Sequence, residues 1–175
     1  MNDKVCLYSD GASRGNGKET SIGAWAVVIH YDSKKDSMSM AVPNITNNQA
    51  ELTAILMGLK ELQKLGFENK PIEIFSDSAY CVNGINDWVH GWVRNGWINS
   101  KKKPVENKEL WKEIYEIRRD FKNLSFTKVK GHSDNKGNIE ADLLCNKAMD
   151  NYIKGLKSTD NQIEVVELNL TEEEI

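Results

Sequence analysis

Several things that would constrain this 175-residue chain are scarce in it. Its three cysteines, Cys6, Cys81 and Cys145, are odd in number and widely spaced, with no C-x-x-C pair, which argues against both a disulfide framework and a zinc site. No apolar run approaches the roughly 20 residues needed to span a bilayer. Asp3 and Lys4 precede a first apolar run too short for an export signal. These absences predict a soluble protein of a reducing cytoplasm, with no membrane partner. Lysine and arginine are missing altogether after Lys157, where Asp160, Glu164, Glu167, Glu172, Glu173 and Glu174 lie. All 23 basic residues and 20 of the 26 acids therefore fall in residues 1–157, a net of +3 there against -3 for the whole chain. Four of those acids cancelled by metal would leave the surface more basic still, so a nucleic-acid partner stays open.

A hydrophobic content of 39% and a charged content of 28% are ordinary for a globular protein, and the length suits one core. Val5 to Ser9, Ala24 to Tyr31 and Ser37 to Val42 are β-forming runs separated by Gly11 to Gly17 and Asp32 to Asp36, and they predict an antiparallel meander. Leu52, Ile55, Leu56, Leu59 and Leu62 then recur at helical spacing, with Thr46 to Asn48 as cap candidates and Gly66 as the stop. Pro71 opens a further β run that ends at Asp77. After a polar, Trp-rich stretch come a helix from Glu109 to Phe121, a strand from Leu124 to Val129 and a helix from about Asn138 to Ile153. This order predicts an α/β fold, a five-stranded mixed sheet, antiparallel first and parallel later, flanked by helices. The expected domain is 1–157, with 158–175 an acidic tail whose pattern fits neither strand nor helix cleanly.

Asp10 in Tyr8-Ser9-Asp10-Gly11 and Asp77 in Phe75-Ser76-Asp77-Ser78 each follow a predicted strand. Sites in α/β sheets form beyond strand ends, so these two can meet if their strands are neighbours, although an isolated Asp there is also a common turn or cap residue. Glu51 reads as lying in the first turn of the long helix, where the helix dipole alone would favour it. Asp142 lies in an early turn of the last helix.

The conjunction of Ser9-Asp10-Gly11 with Asn16, Thr46-Asn47-Asn48 with Ala50-Glu51-Leu52, Asp77-Ser78, and Val129-Lys130-Gly131-His132 with Asp142 resembles the type 1 ribonuclease H family over about residues 4 to 150. The resemblance implies a ribonuclease H-like fold and an endonuclease that hydrolyses the RNA strand of RNA/DNA hybrids, leaving 5'-phosphate and 3'-hydroxyl ends. It implies that Asp10, Glu51, Asp77 and Asp142 are catalytic metal ligands for two Mg2+ ions, with Mn2+ a possible substitute, and that His132 is a mobile catalytic histidine. Hard carboxylate oxygens suit such ions. Asn16, Asn47 and Asn48 match positions that line the minor groove, where 2'-hydroxyls are exposed, and Ser78 is placed with them. A helix cap is the plain alternative for Asn47 and Asn48.

The segment Asp87 to Trp97, followed by Lys101-Lys102-Lys103, resembles the basic handle of one branch of that family. No acid stands between Asp87 and Glu106, while Arg94, Lys101, Lys102 and Lys103 supply four bases interleaved with aromatics. Trp88 and Trp92 are expected to serve partly as a small satellite core, and Trp97 to face nucleic acid. The expected partner is the hybrid duplex, bound by a monomer, with the acidic tail folding back on the handle or meeting a protein partner. Two departures stand out: Ile139 occupies the place of a glutamate common in relatives, with Glu140 one step later, and Arg14 to Ile22 differs from the usual loop. Another nuclease of the same fold, or a non-catalytic hybrid-binding module, is the rival reading.

Overall fold

The computed structural model describes residues 3–15, 21–131, 135–158 and 165–171, with backbone alone from 156 onward. Strands β1 (Val5–Arg14), β2 (Ile22–Tyr31) and β3 (Lys34–Pro43) form the meander. β4 (Pro71–Ser76) and β5 (Asn123–Lys128) extend it on the β1 side as parallel neighbours. The five expected strands are all present, and a sixth, β6 (Val165–Thr171), pairs antiparallel with β3, giving the order β5-β4-β1-β2-β3-β6. Residues 165–171 of the tail therefore continue the sheet at the edge opposite β5.

The strands of the meander are longer than their sequence predicts. β1 runs through Gly11, Ala12 and Ser13 because β2 offers an unbroken ladder, from Cys6 opposite His30 to Arg14 opposite Ile22. Asp10 consequently sits inside a strand, opposite Ala26, and not after one. The expected connection Asp32 to Asp36 shrinks to a two-residue turn, Asp32 and Ser33, both at positive φ as the twist of a tight hairpin requires. This places Asp36 inside β3.

β2 is buried on both faces, and its alternation divides the core. Trp25, Val27 and Ile29 face helix α1 (Asn47–Lys64), while Ala24, Ala26 and Val28 face helix α5 (Lys136–Ser158) through Ala141, Cys145, Ala148 and Met149. Small residues on the second face let α5 settle close to the sheet. α1 starts at a capping box: Thr46 Oγ1 accepts from the Gln49 N–H at 3.1 Å, and the Thr46 N–H donates to Gln49 Oε1 at 3.0 Å. Such a cap stabilises by about 1 kcal/mol. Because Thr46 does the capping, the cap explanation for Asn47 and Asn48 falls away.

The Trp-rich stretch is helical for much of its length. α2 (Ala79–Asn83) passes through a π-helical turn (Gly84–Trp88) into α3 (Val89–Asn95), and a bridge between Ile98 and Pro104 closes the following loop. α4 (Lys108–Arg118) packs on α1 and sends Trp111, wholly buried, beneath Trp92 and Tyr80. The Trp111 indole donates to the Tyr80 hydroxyl at 3.1 Å.

Candidate active site

The parallel pairing of β1 with β4 sets the level of the site. Ser9 lies opposite Ser76, so the next residue on each strand, Asp10 and Asp77, falls at the same height where β4 ends. α1 crosses β1 at this level. A Cβ on Gly11 would overlap the Ala50 carbonyl and the Glu51 nitrogen, so only glycine lets the helix approach closely enough to set Glu51 beside Asp10. The Gly11 amide also favours the charged forms of both carboxylates. Carboxylate oxygens of Asp10, Glu51 and Asp77 lie within 4.8 Å of one another.

α5 brings the fourth acid. Its start packs on the Tyr8 ring through Gly137, where any larger residue would strike the ring. Arg14, at the end of β1, donates to Asp150 at 2.7 Å and to Asn146 at 3.0 Å, while the Cys145 thiol donates to the Asp10 carbonyl at 3.4 Å. These contacts bring Asp142 close enough for its charge to raise the Asp10 carboxyl. Asp77, Asn138, Ile139, Asp142 and Leu143 line the opening.

The electrostatics follow from burial and crowding. Asp10 and Glu51 are 4% and 9% exposed. Burial first, then the charges of Asp77 and Asp142, push the Asp10 carboxyl up to about 7. Burial and then Asp10 raise Glu51 well above the usual carboxylate range, and burial raises Asp77 while the Asn138 amide pulls the other way. Glu51 Oε2 is buried with no hydrogen-bond partner, and among the described residues no lysine or arginine makes an ion pair with Asp10, Glu51 or Asp77. The donor set consists of hard oxygens short of positive charge, which fits a divalent cation.

Glu51 is the fifth residue of α1, and no acid stands in its first turn, so the dipole explanation for this glutamate does not hold. Asn47 and Asn48 are exposed one turn before it. Ser78 accepts from the Cys81 N–H at 3.1 Å and caps α2. Asn16 and His132 lie outside the described residues. Arg94 and Lys101 to Lys103 are all exposed. Trp92 packs on Trp111 and Trp88 touches Tyr80 and Trp92, as expected of a small satellite core, but Trp97 joins that cluster too. Trp97 is half-buried between Trp92 and Tyr115, with ring centroids at 6.1 and 6.5 Å, whereas Trp88 is 41% exposed. Glu140 turns away from the acids to bond Lys35 at 3.0 Å, so it does not stand in for the glutamate absent at Ile139. Asn138 and Leu143 escaped sequence reasoning; for Asn138, the spacing of one turn from Asp142 was the available signal.

Comparison with known proteins agrees with this geometry. The family model described as RNase H matches residues 2–150. A Ribonuclease H of Clostridium botulinum is 44% identical over 150 residues, covering 85% of this chain and 97% of its own. A Ribonuclease HI of Neisseria meningitidis serogroup B is 40% identical over 147 residues, covering 84% and 96%. Among solved structures, LC11-RNase H1 in complex with an RNA/DNA hybrid is 25% identical, with a TM-score of 0.66 over 85% of this chain and 99% of that one. LC9-RNase H1, a type 1 RNase H with the type 2 active-site motif, shares the fold at a TM-score of 0.74 and 22% identity, over 95% and 79%. On a family match spanning most of the chain, and relatives this similar along nearly their whole length, the chain belongs to the RNase H family of nucleases.

Proposed function

We propose that the chain is an endonuclease that hydrolyses the RNA strand of RNA/DNA hybrids, with residues 1–157 as the catalytic domain. The observation that carries this reading is the convergence of Asp10, Glu51 and Asp77 within 4.8 Å, with Asp142 against Asp10. The hybrid seated on LC11-RNase H1 supports the substrate class.

Asp10, Glu51, Asp77 and Asp142 would hold two Mg2+ ions, or Mn2+ in their place. Bound there, such ions supply Lewis-acid activation of water and of the leaving oxygen, for an in-line displacement that leaves 5'-phosphate and 3'-hydroxyl ends. Asp10 and Glu51 bind in their charged forms, so they release protons as they load. His132 is assigned to hold or deliver a proton at the leaving 3'-oxygen, for which a group titrating near neutrality is suited. Asn16, Asn47, Asn48 and Ser78 are assigned to the groove. The exposed amides of Asn47 and Asn48, free of capping duty, can meet ribose 2'-hydroxyls. Trp88, Trp92 and Trp97 with Arg94, Lys101, Lys102 and Lys103 form the handle in this reading, with the bases on phosphates and Trp88 the most exposed ring. We place the monomer in the cytoplasm, in keeping with three unpaired cysteines. The tail is placed outside catalysis, so truncation near Lys157 keeps hydrolysis.

The test is incubation with labelled RNA/DNA hybrid, single-stranded RNA, double-stranded RNA and double-stranded DNA, with and without Mg2+. Only the RNA of the hybrid is cut, and chelator stops it; equal cleavage of double-stranded DNA, or full activity in chelator, overturns the reading. Binding without cleavage under all conditions identifies a hybrid-binding module instead. Neutralising Arg94, Lys101, Lys102 and Lys103 weakens hybrid binding and flattens its salt dependence, by about 0.9 in log–log slope for each phosphate no longer neutralised. An unchanged slope removes the handle from the reading.

A further inference from the structure

A second pair of acids is buried away from the site. Asp36 of β3 and Glu61 of α1 are 1% and 7% exposed. Their surroundings offer almost no compensation. Across β2 Asp36 faces Ile29, along β6 its backbone pairs with Leu170, and the charge of Lys64, one turn beyond Glu61, opposes the effect of burial and of Glu61 on it. Neither Asp36 oxygen has a hydrogen-bond partner of good geometry. Two carboxylates bring four acceptors together and no donor, and burying them so would cost several kcal/mol. A single proton removes the conflict, because a protonated Asp36 can donate to Glu61 across the contact the two side chains already make.

We propose that the buried Asp36 keeps its proton in the folded protein and donates it to Glu61, forming a proton-binding site that ties β3 to α1 by an acid–carboxylate hydrogen bond. The Asp36 carboxyl is pushed up to about 7, by burial first and by the charge of Glu61 second, with Lys64 and the Ser37 amide opposing only in part. The folded state thus holds this proton more tightly than the unfolded chain does. The stabilisation is complete below the ordinary aspartate value and is lost as pH rises through about 7.

Asp36→Asn supplies a permanent donor in the same shape. The variant melts several degrees higher than the parent at alkaline pH, matches it in mild acid and cleaves hybrid at the parental rate. Glu61→Gln gives the same flattening of the pH–stability curve. Infrared spectra of protein carrying isotope-labelled aspartate show a protonated carboxyl band at neutral pH. In an Asp10→Asn background, which removes the contribution of the site's own raised aspartate, the band persists; it shifts when Glu61→Gln is added and loses its main component when Asp36→Asn is added, which separates this pair from the site. A variant less stable than the parent at alkaline pH, an unchanged pH slope, or no such band in the Asp10→Asn background overturns the proposal.

Discussion

Helix α1 buries acid against the sheet twice, and the two places resolve the same conflict differently. Near its start Glu51 meets Asp10 of β1; ten residues on, Glu61 meets Asp36 of β3. Each sandwich raises its aspartate to about 7, with burial the largest cause. The first collects Asp77 and Asp142, both half-buried, and opens where β4 ends. The second is a closed pair. A closed pair can be neutralised by a proton already inside it, whereas an open cluster of three or four carboxylates has room and oxygens for a cation. Buried acid is thus not itself a mark of catalysis; acid count and access separate the two cases.

The sharpest separation is in turnover. Asp10→Asn or Asp77→Asn lowers hybrid cleavage by roughly three orders of magnitude or more while leaving hybrid binding largely intact, if each supplies a metal ligand at the reacting phosphate as proposed. Asp36→Asn leaves cleavage unchanged. Single-turnover cleavage of labelled hybrid, read beside a binding titration, checks both. Loss of activity in Asp36→Asn with normal folding breaks the comparison.

The next separation is in the response to metal. On the proposed reading, Mg2+ at about 100 times its dissociation constant stabilises the native protein by about 2.7 kcal/mol, the gain expected of a ligand that binds the folded state and not the unfolded one. Asp36→Asn keeps the whole of that gain and Asp10→Asn keeps a fraction of it. Thermal melts over a Mg2+ series decide this; equal gains in all three proteins would place the metal elsewhere.

The two acid sites were unequally legible in the sequence, for physical reasons. The Asp10 cluster was visible through motif order, although each acid alone passes for a turn or helix-end residue. Asp36 was hidden because Asp32-Ser33-Lys34-Lys35-Asp36 reads as a charged connection. Only the ladder with β2, which confines the turn to Asp32 and Ser33, draws it into a strand. β1 was read short for the same reason, since Gly11, Ala12 and Ser13 are poor strand formers whose pairing is decided by distant residues. α1 was read almost to the residue because its cap and its leucine spacing are local. The path from Ala79 to Asn95 was not, because Asn83, Gly84, Asn86 and Gly91 disfavour a helix and packing on Trp111 overrides them.

The smallest predicted effect is the stability of the metal-free protein. Without metal, the Asp10 carboxyl sits at about 7 against an ordinary value of 3.8, so between those limits the folded state binds a proton that the unfolded chain releases. Its contribution is complete below the lower limit and is lost as pH rises through the upper one; at pH above about 7 the Asp10 charge adds to those of its neighbours and opposes folding. Asp10→Asn removes one of the converging charges, so in chelator at alkaline pH it melts higher than the parent, by about 1 kcal/mol on the scale of a one-unit shift. Asp36→Asn also melts higher there, but for a reason magnesium does not touch. Saturating Mg2+ therefore leaves the advantage of Asp36→Asn in place and cancels or inverts that of Asp10→Asn, because the parent then gains a ligand the latter variant binds poorly. Melts of the three proteins at alkaline pH, in chelator and in Mg2+, read both differences at once. If Asp10→Asn melts lower than the parent in chelator, Asp10 does not belong to a repelling cluster; if its advantage survives Mg2+, the two acid sites are not of different kinds.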